Sequence, residues 1–215
     1  MSKNEVELLL KGYGVCYNEF VEVDKWRSRE MKILLVDGTV LGRKTGAILE
    51  EIQGYIEQFD GTLDLELVRF SDYEHQIVDG RPFDQYNTGM QELVRKLESA
   101  DGYIFATPIF QGSIPGVLKN ALDFLNPKAL RYKPVSIVAN GGTHQHHLVV
   151  ENQFKPILDY FRALVTPNYV YTHTSHFDDQ NNIIDENVHE RLQELARVFV
   201  KYCELSANLP KQPLD

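Results

Sequence analysis

The sequence Ala-Thr-Pro-Ile-Phe-Gln-Gly-Ser-Ile-Pro-Gly-Val-Leu-Lys-Asn-Ala-Leu-Asp-Phe-Leu, residues 106–125, decides the fold of this chain. An apolar run beginning at Tyr103 leads into it, Pro108 interrupts the run, and a loop containing glycine and proline follows. Apolar side chains then recur at helical spacing: Val117, Leu118, Ala121, Leu122 and Leu125. The stretch therefore predicts a strand, a loop and an amphipathic helix, with the loop at the carboxyl end of the strand.

The chain repeats this alternation from residue 31 onward. Apolar runs predict strands at 32–36, 64–70, 103–107, 135–140 and 169–172. Four further stripes predict helices: Ile48, Leu49, Ile52, Ile56 and Phe59; Met90, Leu93, Val94 and Leu97; Phe154, Ile157, Leu158, Phe161 and Leu164; Val188, Leu192, Leu195, Phe199 and Tyr202. Pro156 predicts a late start or a kink in the third of these helices. The pattern indicates an α/β fold, a flavodoxin-like doubly wound parallel sheet of five strands in the order 2-1-3-4-5, with helices on both faces.

Composition excludes several classes of protein. The 215 residues are 43% hydrophobic and carry a net charge of -9 without a cluster of basic residues, which argues against a nucleic-acid partner. No apolar run approaches the roughly 18 residues of a membrane span. Cys16 and Cys203 lie far apart and are expected to be reduced thiols in a cytoplasmic protein. The sequence also lacks a Gly-x-x-x-x-Gly-Lys-Ser/Thr phosphate loop, a Gly-x-Gly-x-x-Gly dinucleotide motif and the Cys and Arg spacing of tyrosine phosphatases.

The fold signal divides the chain into three parts. Residues 1–30 form an N-terminal extension, residues 31–205 the flavodoxin-like domain, and residues 206–215 a C-terminal tail. Because the fold signal begins only at Met31, one hypothesis is that Met31 is the true start of the protein. The other is a genuine N-terminal arm that takes part in oligomer contacts.

The loop after the first strand, Asp37 to Gly46, is a candidate phosphate site. It ends where a helix begins, and free N–H groups at a helix start attract anions. Its candidate ligands are the hydroxyls and cations of Thr39, Arg43, Lys44 and Thr45, with Gly38, Gly42 and Gly46 allowing close approach. Asp37 opposes this prediction, since a carboxylate repels a phosphate. The alternative is a plain turn in which a threonine caps the helix.

Two further loops should converge with the first at the crevice between the first and third strands. The loop after the third strand offers an apolar and aromatic wall for a flat heteroaromatic ring: Pro108, Ile109, Phe110, Gln111, Gly112 and Ser113. Its alternative is that Ser113 caps the following helix, with Pro115 in the first turn. The loop after the fourth strand contains Asn140, Gly141, Gly142 and His144. A metal site at His144, His146 and His147 is the weaker reading of this loop, and a solvated helix entry is the plain one.

The stretch that begins at Thr107 resembles the loop over the flavin ring in the NAD(P)H-dependent FMN reductases. The matching residues are Thr107, Pro108, Ser113, Pro115, Gly116, Leu118, Lys119, Asn120, Ala121 and Asp123, while Phe110 replaces the usual tyrosine. The resemblance implies an FMN phosphate on the first loop, and backbone contacts from Gly141 and Gly142 to the pyrimidine edge of the flavin. A further interpretation of the loop after the fourth strand is that His144 polarises the flavin or touches the nicotinamide. The segment 79–83 resembles some of these reductases as well, and its alternative is a simple polar loop.

The resemblance implies an FMN-dependent oxidoreductase that uses NADPH or NADH as co-substrate. The electrons would pass through FMN to a small acceptor, which could be a quinone, an azo or nitro compound, a metal oxyanion or free flavin. No catalytic side chain and no metal are expected, because the flavin carries the chemistry. A homodimer or homotetramer is implied too. The alternatives are a flavodoxin-like electron carrier that does not oxidise nicotinamide nucleotides, and a relative that has lost flavin and acts in binding or regulation.

Overall fold

A parallel sheet forms the centre of the computed structural model, which describes residues 31–209. Its strands are β1 (Lys32–Asp37), β2 (Asp64–Arg69), β3 (Gly102–Pro108), β4 (Pro134–Gly141), β5 (Leu164–Val165) and β6 (Val170–His173). The order is β2-β1-β3-β4, and β5 and β6 both pair with β4. The predicted doubly wound sheet and its strand order are confirmed.

The far edge of the sheet differs from the prediction because it is built from two strands. The two-residue strand β5 pairs with the start of β4, and β6, the predicted fifth strand, pairs with its end. Leu164 was predicted to extend a helix, and that prediction is wrong. Arg162 adopts a left-handed backbone conformation with φ of 56°, which ends the helical segment before Leu164 is reached.

Helices cover both faces of the sheet. They are α1 (Lys44–Phe59), α2 (Thr88–Ser99), α3 (Gly116–Phe124), α4 (Lys155–Tyr160) and α5 (Glu186–Ala207). A π-helical turn, Val150–Phe154, leads directly into α4, and Pro156 is the second residue of α4. Phe59 and Tyr202 are also less buried than the stripes predict. Phe59 is exposed at the end of α1, and Cys203 rather than Tyr202 is fully buried in α5.

Each face of the sheet has its own apolar core. On one face, β1 and β3 pack against α1 and α5 through residues such as Ile48 and Phe199. On the other face, α2, α3 and α4 cover the sheet, and the ring of Phe105 packs edge-on against Phe154 at 5.6 Å between centroids. Each large side chain buried in this way stabilises the fold by about 1.5–3 kcal/mol. Because both faces are closed, the carboxyl edge of the sheet is left for the connecting loops.

Residues of the 106–125 stretch hold neighbouring loops in place. The backbone N–H of Gly38 donates to the carbonyl of Ala106 at 2.9 Å, and a Cβ at Gly38 would lie 3.0 Å from Leu118. The buried amide of Asn120 accepts from the N–H of Val78 and donates to the carbonyl of Gln76, each at 2.9 Å. Leu118 and Asn120 therefore shape the edge of the sheet through packing and hydrogen bonds to the protein itself.

Parts of the predicted domain plan lie outside the described residues. These are the N-terminal extension, which contains Cys16, and residues 210–215 of the predicted tail. Helix α5 continues through Ala207, so the start of that tail is helical. Between residues 31 and 209 the structure contains no helix with the length and apolar character of a membrane span.

Candidate active site

The carboxyl ends of four adjacent strands bring the three predicted loops together. Register pairs Asp37 with Ala106, Pro108 with Asn140, and Gly141 with His173. Since neighbouring strands lie about 4.8 Å apart, the ends of β1, β3, β4 and β6 span roughly 14 Å. The candidate site is this edge together with its loops.

The β1–α1 loop leaves the start of α1 without a side-chain cap. Arg43 occupies the N-cap position, and no side chain in the described part of the chain bonds to the first-turn N–H groups there. The hydroxyl of Thr39 instead accepts from the N–H of Leu41 and donates to its carbonyl, and the hydroxyl of Thr45 donates to the carboxyl of Asp37. The threonine-cap alternative is therefore wrong. The uncapped helix start suits an anion.

A cavity of about 500 Å³ adjoins this loop. Thr39, Gly42 and Arg43 line it, and the predicted ligand Lys44 does not, because its ammonium group lies 5.3 Å from the ring centre of Phe177. Other residues of the cavity wall were not predicted from the sequence. They are Ala47 and Glu50 in α1, Arg69 and Ser71 at the end of β2, and Gln180, Asn181 and Asn182. The predicted strand order could have indicated the β2 residues, since β2 neighbours β1. No pattern in the sequence indicated residues 180–182.

Asp37 lies at the inner wall of the cavity and is 6% exposed. Its Oδ1 atom has no hydrogen-bond partner among residues 31–209. Burial raises the pKa of Asp37, and nearby Asp72 raises it further, while the hydroxyl of Thr45 and the charge of Arg69 lower it. Burial therefore disfavours the ionised form of Asp37.

The loop after β3 closes into a tight turn that presents an aromatic ring. Phe110 and Ser113 exchange two backbone hydrogen bonds of 2.9 and 3.0 Å, and the residues between them have positive φ, 50° at Gln111 and 73° at Gly112. This is the geometry of a type I′ turn, in which glycine is favoured. The ring of Phe110 is 43% exposed, whereas Ile109 packs against the core. The turn thus supplies a preformed aromatic surface.

Gln153, in the π-helical turn, forms hydrogen bonds to the turn after β3. Its amide nitrogen donates to the carbonyl of Gly112 at 2.9 Å, and its amide oxygen accepts from the hydroxyl of Ser113. Helix α3 has Pro115 at its N-cap position and no side-chain cap. The alternative in which Ser113 caps α3 is therefore wrong, because its hydroxyl is engaged elsewhere.

The loop after β4 is held by hydrogen bonds at its start. The carbonyl of Asn140 accepts from the N–H of Ile109 at 2.8 Å, and its side-chain amide donates to Thr172 at 2.9 Å. A Cβ at Gly141 would collide with the hydroxyl of Tyr171, whereas a Cβ at Gly142 would meet open space. The absence of a side chain at Gly141 is thus required by Tyr171. Gly142 has the open surroundings that a backbone contact to a ligand needs.

His144 joins a group of imidazoles that the sequence reasoning did not predict. The ring centre of His173 lies 3.7 Å from that of His144 and 3.7 Å from that of His176. His173 is buried, its Nε2 atom has no partner within the described part of the chain, and burial lowers its pKa. His173 and His176 follow β6, which lies beside β4 in the sheet, and this adjacency was the available signal. None of the described His, Cys, Asp and Glu side chains form a group of three or more that could hold a metal ion.

Comparison with known proteins decides the family. Residues 31–177 match the sequence profile of the NADPH-dependent FMN reductases. This chain belongs to that family. Its members are oxidoreductases that use NAD(P)H and FMN.

Individual relatives agree with the family assignment. The chain is 45% identical over 166 residues to an NAD(P)H-dependent FAD/FMN reductase of Geobacillus thermodenitrificans, covering 77% of this chain and 90% of the relative. It is 28% identical over 179 residues to an FMN-dependent NADPH-azoreductase of Staphylococcus saprophyticus, covering 79% and 92%. A solved oxidoreductase from Corynebacterium diphtheriae shares the fold with a TM-score of 0.64 at 22% identity, covering 81% of this chain and 97% of that one.

The residues of this FMN reductase fit the cofactor at two points. The uncapped start of α1 and Arg43 suit the phosphate, and the exposed ring of Phe110 suits a flat heteroaromatic group. Val40 and Leu41 in the first loop are also exposed and add apolar surface at the same edge. Asp37 is the residue that the fit must accommodate, because its carboxyl is buried at the wall of the same cavity.

Proposed function

We propose that this protein is an FMN-dependent NAD(P)H oxidoreductase that passes electrons from a nicotinamide nucleotide through bound FMN to a small acceptor. The observation that carries the proposal is the uncapped helix start with Arg43 at the end of β1, beside the exposed Phe110 turn after β3. The helix start accounts for binding of the phosphate, and the Phe110 turn accounts for binding of the flavin ring. Bound FMN supplies hydride acceptance and electron release.

The protein side chains bind and orient rather than react. Arg43 and the backbone N–H groups that open α1, which include those of Lys44 and Thr45, hold the phosphate. The hydroxyl of Thr39 donates to the carbonyl of Leu41 and joins them only by releasing that carbonyl. The side chain of Phe110 packs against one face of the flavin ring. The contacts of Gln153 to Gly112 and Ser113 keep the Phe110 turn in a single position, so little conformational entropy is lost when the ring binds.

The loop after β4 completes the site at the pyrimidine edge. Gly142 offers backbone hydrogen-bonding groups in open space, and Asn140 anchors the loop to β6 through Thr172. His144 is the titratable side chain of this loop that comes nearest to the histidines after β6, and its proposed role is to polarise the flavin or to touch the nicotinamide. Burial lowers the pKa of His173 and His176, so these imidazoles are neutral near pH 7.

The electron acceptor is a small conjugated molecule. An apolar, aromatic wall accepts flat rings, and relatives are named for reduction of flavin and of azo compounds. Quinones and nitro compounds share this shape and belong to the same proposal, and metal oxyanions are the non-planar alternative. We place the enzyme in the cytoplasm, in accord with the free thiol of Cys203.

We propose a homodimer or homotetramer. The support is an apolar groove of about 620 Å³ between α3 and α4, lined by Leu122, Ile157 and Tyr160. Tyr160 is 68% exposed, and burying such a ring against a second copy is favourable. Light scattering on the purified protein should give a mass of two or four chains, and Tyr160→Glu should lower it. A monomeric wild type would contradict the oligomer.

Turnover with a panel of acceptors tests the function. The FMN-loaded protein is mixed with NADPH or NADH and one acceptor at a time: a quinone, an azo dye, a nitroaromatic compound, free FMN and a metal oxyanion. We expect at least one planar acceptor to accelerate oxidation of the nucleotide beyond the rate with oxygen alone. A protein that binds FMN but oxidises neither nucleotide would be a flavodoxin-like carrier. A protein that stays colourless after incubation with FMN would be a relative without flavin.

A further inference from the structure

Asp37 is the feature of the site that the proposed FMN binding does not yet explain. Asp37 is the last residue of β1 and only 6% of its surface is exposed. Its Oδ1 atom has no hydrogen-bond partner within residues 31–209. A buried carboxylate oxygen without a hydrogen bond is costly, so Oδ1 of Asp37 requires an explanation. Asp37 also lines the cavity that contains Arg43 and Thr39, the proposed phosphate ligands.

Charged and polar groups face Asp37 from α1 and from the end of β2. From α1 the hydroxyl of Thr45 donates to its carboxyl, and Glu50 lines the same cavity. From the end of β2 come Arg69, which is paired with Glu50 at 3.0 Å, and Asp72. On the β3 side, register places the apolar residue Ala106 beside it.

These surroundings make a second anion unfavourable beside an ionised Asp37. The cations available are Arg43, which the phosphate needs, and Arg69, whose charge is shared with Glu50. A carboxylate accepts hydrogen bonds and donates none, so it cannot bond to a fully ionised phosphate. A protonated carboxyl can donate its proton to a phosphate oxygen, which would give the unpartnered side of Asp37 a bond.

We propose that Asp37 binds the FMN phosphate as the protonated acid, so that FMN binding takes up one proton from solvent and weakens as the pH rises. This inference rests on the FMN site proposed above and concerns the phosphate alone. Burial already raises the pKa of Asp37, which is the direction the inference requires. A nearby phosphate dianion raises it further, and by linkage the added proton makes the affinity depend on pH.

The test measures dissociation constants for FMN and riboflavin by quenching of flavin fluorescence. Riboflavin lacks the phosphate, and the FMN phosphate loses its own last proton at a pKa of about 6, so the useful range is about pH 6.5 to about pH 8.5. For wild type we expect the dissociation constant for FMN to rise with pH. If one proton is taken up on binding, the rise approaches a limit of about tenfold per pH unit. The riboflavin constant should stay level.

Two variants with the same chemical change sharpen the test. Asp37→Asn keeps the shape of the side chain and removes its ionisation. The FMN dissociation constant of this variant should not change with pH, and near pH 8.5 it should be at least about tenfold lower than that of wild type. Asp72→Asn removes the neighbouring carboxyl and should keep the wild-type slope. An FMN constant of wild type that does not change with pH, or one whose slope survives Asp37→Asn, would overturn the inference.

Calorimetry provides a result that needs no variant. Titration of wild type with FMN in two buffers of different ionisation enthalpy counts the protons taken up on binding. Uptake approaching one proton near pH 8 agrees with the inference, and no uptake with tight FMN binding refutes it while the proposed function stands. If neither wild type nor Asp37→Asn binds FMN at any pH, the proposed function itself fails.

Discussion

Replacement of Gly141 by alanine probes how the β4 loop is held. Gly141 ends β4, and a Cβ there would overlap the hydroxyl of Tyr171 and lie 2.9 Å from Cζ of the same ring. The ring is buried and its hydroxyl donates to the carbonyl of Thr143 at 2.5 Å. Gly141→Ala must therefore displace Tyr171 and release Thr143, which directly precedes His144.

The expected cost follows from these contacts. Overpacking of a buried site costs about 1–3 kcal/mol, and a lost hydrogen bond adds about 0.5–1.5 kcal/mol. Gly141→Ala should lower the free energy of unfolding by about 2–4 kcal/mol, a fall in melting temperature of roughly 5–15 °C for a chain of this size. FMN affinity should fall as well, because the loop carrying His144 loses its anchor.

Gly142→Ala is the matched control, and a double-mutant cycle with Tyr171→Phe tests the cause. A Cβ at Gly142 meets open space, so its effect should stay within about 0.5 kcal/mol. Removing the hydroxyl relieves the overlap and leaves the contact with Cζ, so Gly141→Ala should cost at least about 1 kcal/mol less in the Tyr171→Phe background. Equal melting temperatures for the two alanine variants, or additive effects in the cycle, would refute the reasoning.

Three further predictions concern the loops after β1 and β3. Arg43→Ala should weaken FMN binding at least about tenfold by removing a charge-assisted contact, with Arg95→Ala on α2 as an inert control; equal FMN constants would remove Arg43 from the site. Phe110→Ala should weaken both FMN and riboflavin while leaving the melting temperature nearly unchanged, since the ring is exposed. Because the pKa of Asp37 is raised from its ordinary value of 3.8, wild type loses stability as the pH rises above that value, and Asp37→Asn should raise the melting temperature more near pH 8 than near pH 4. An equal gain at both values would argue against a buried titrating carboxyl.

The alternation of apolar runs and stripes was sufficient to predict the sheet and its order. Runs such as residues 103–107 are buried on both faces and leave little ambiguity of period. The far edge could not be predicted in this way. Whether Leu164 continues a helix depends on the left-handed backbone at Arg162, and arginine gives no local signal for that conformation.

The candidate site, like the fold, was predicted from the sequence only in part. Sequence order and strand order together located the loops after β1, β3 and β4 at one edge, and the resemblance supplied the expected ligand. The partners of individual hydroxyls depend on distant residues. Ser113 bonds to Gln153 rather than to α3, and Thr45 bonds to Asp37, contacts that no spacing encodes. For the same reason the wall of residues 180–182 and the imidazole of His173 were not foreseen, because the chain reaches them by folding back.

Anaerobic reduction by a nicotinamide nucleotide is the most direct test of the central claim. The purified protein is loaded with FMN, freed of unbound flavin and mixed with NADPH or NADH without oxygen while the yellow flavin absorbance is followed. The account predicts that the band bleaches with at least one nucleotide at about one nucleotide per flavin, and returns when an acceptor is added. Bound FMN that keeps its full absorbance with an excess of both nucleotides would contradict it.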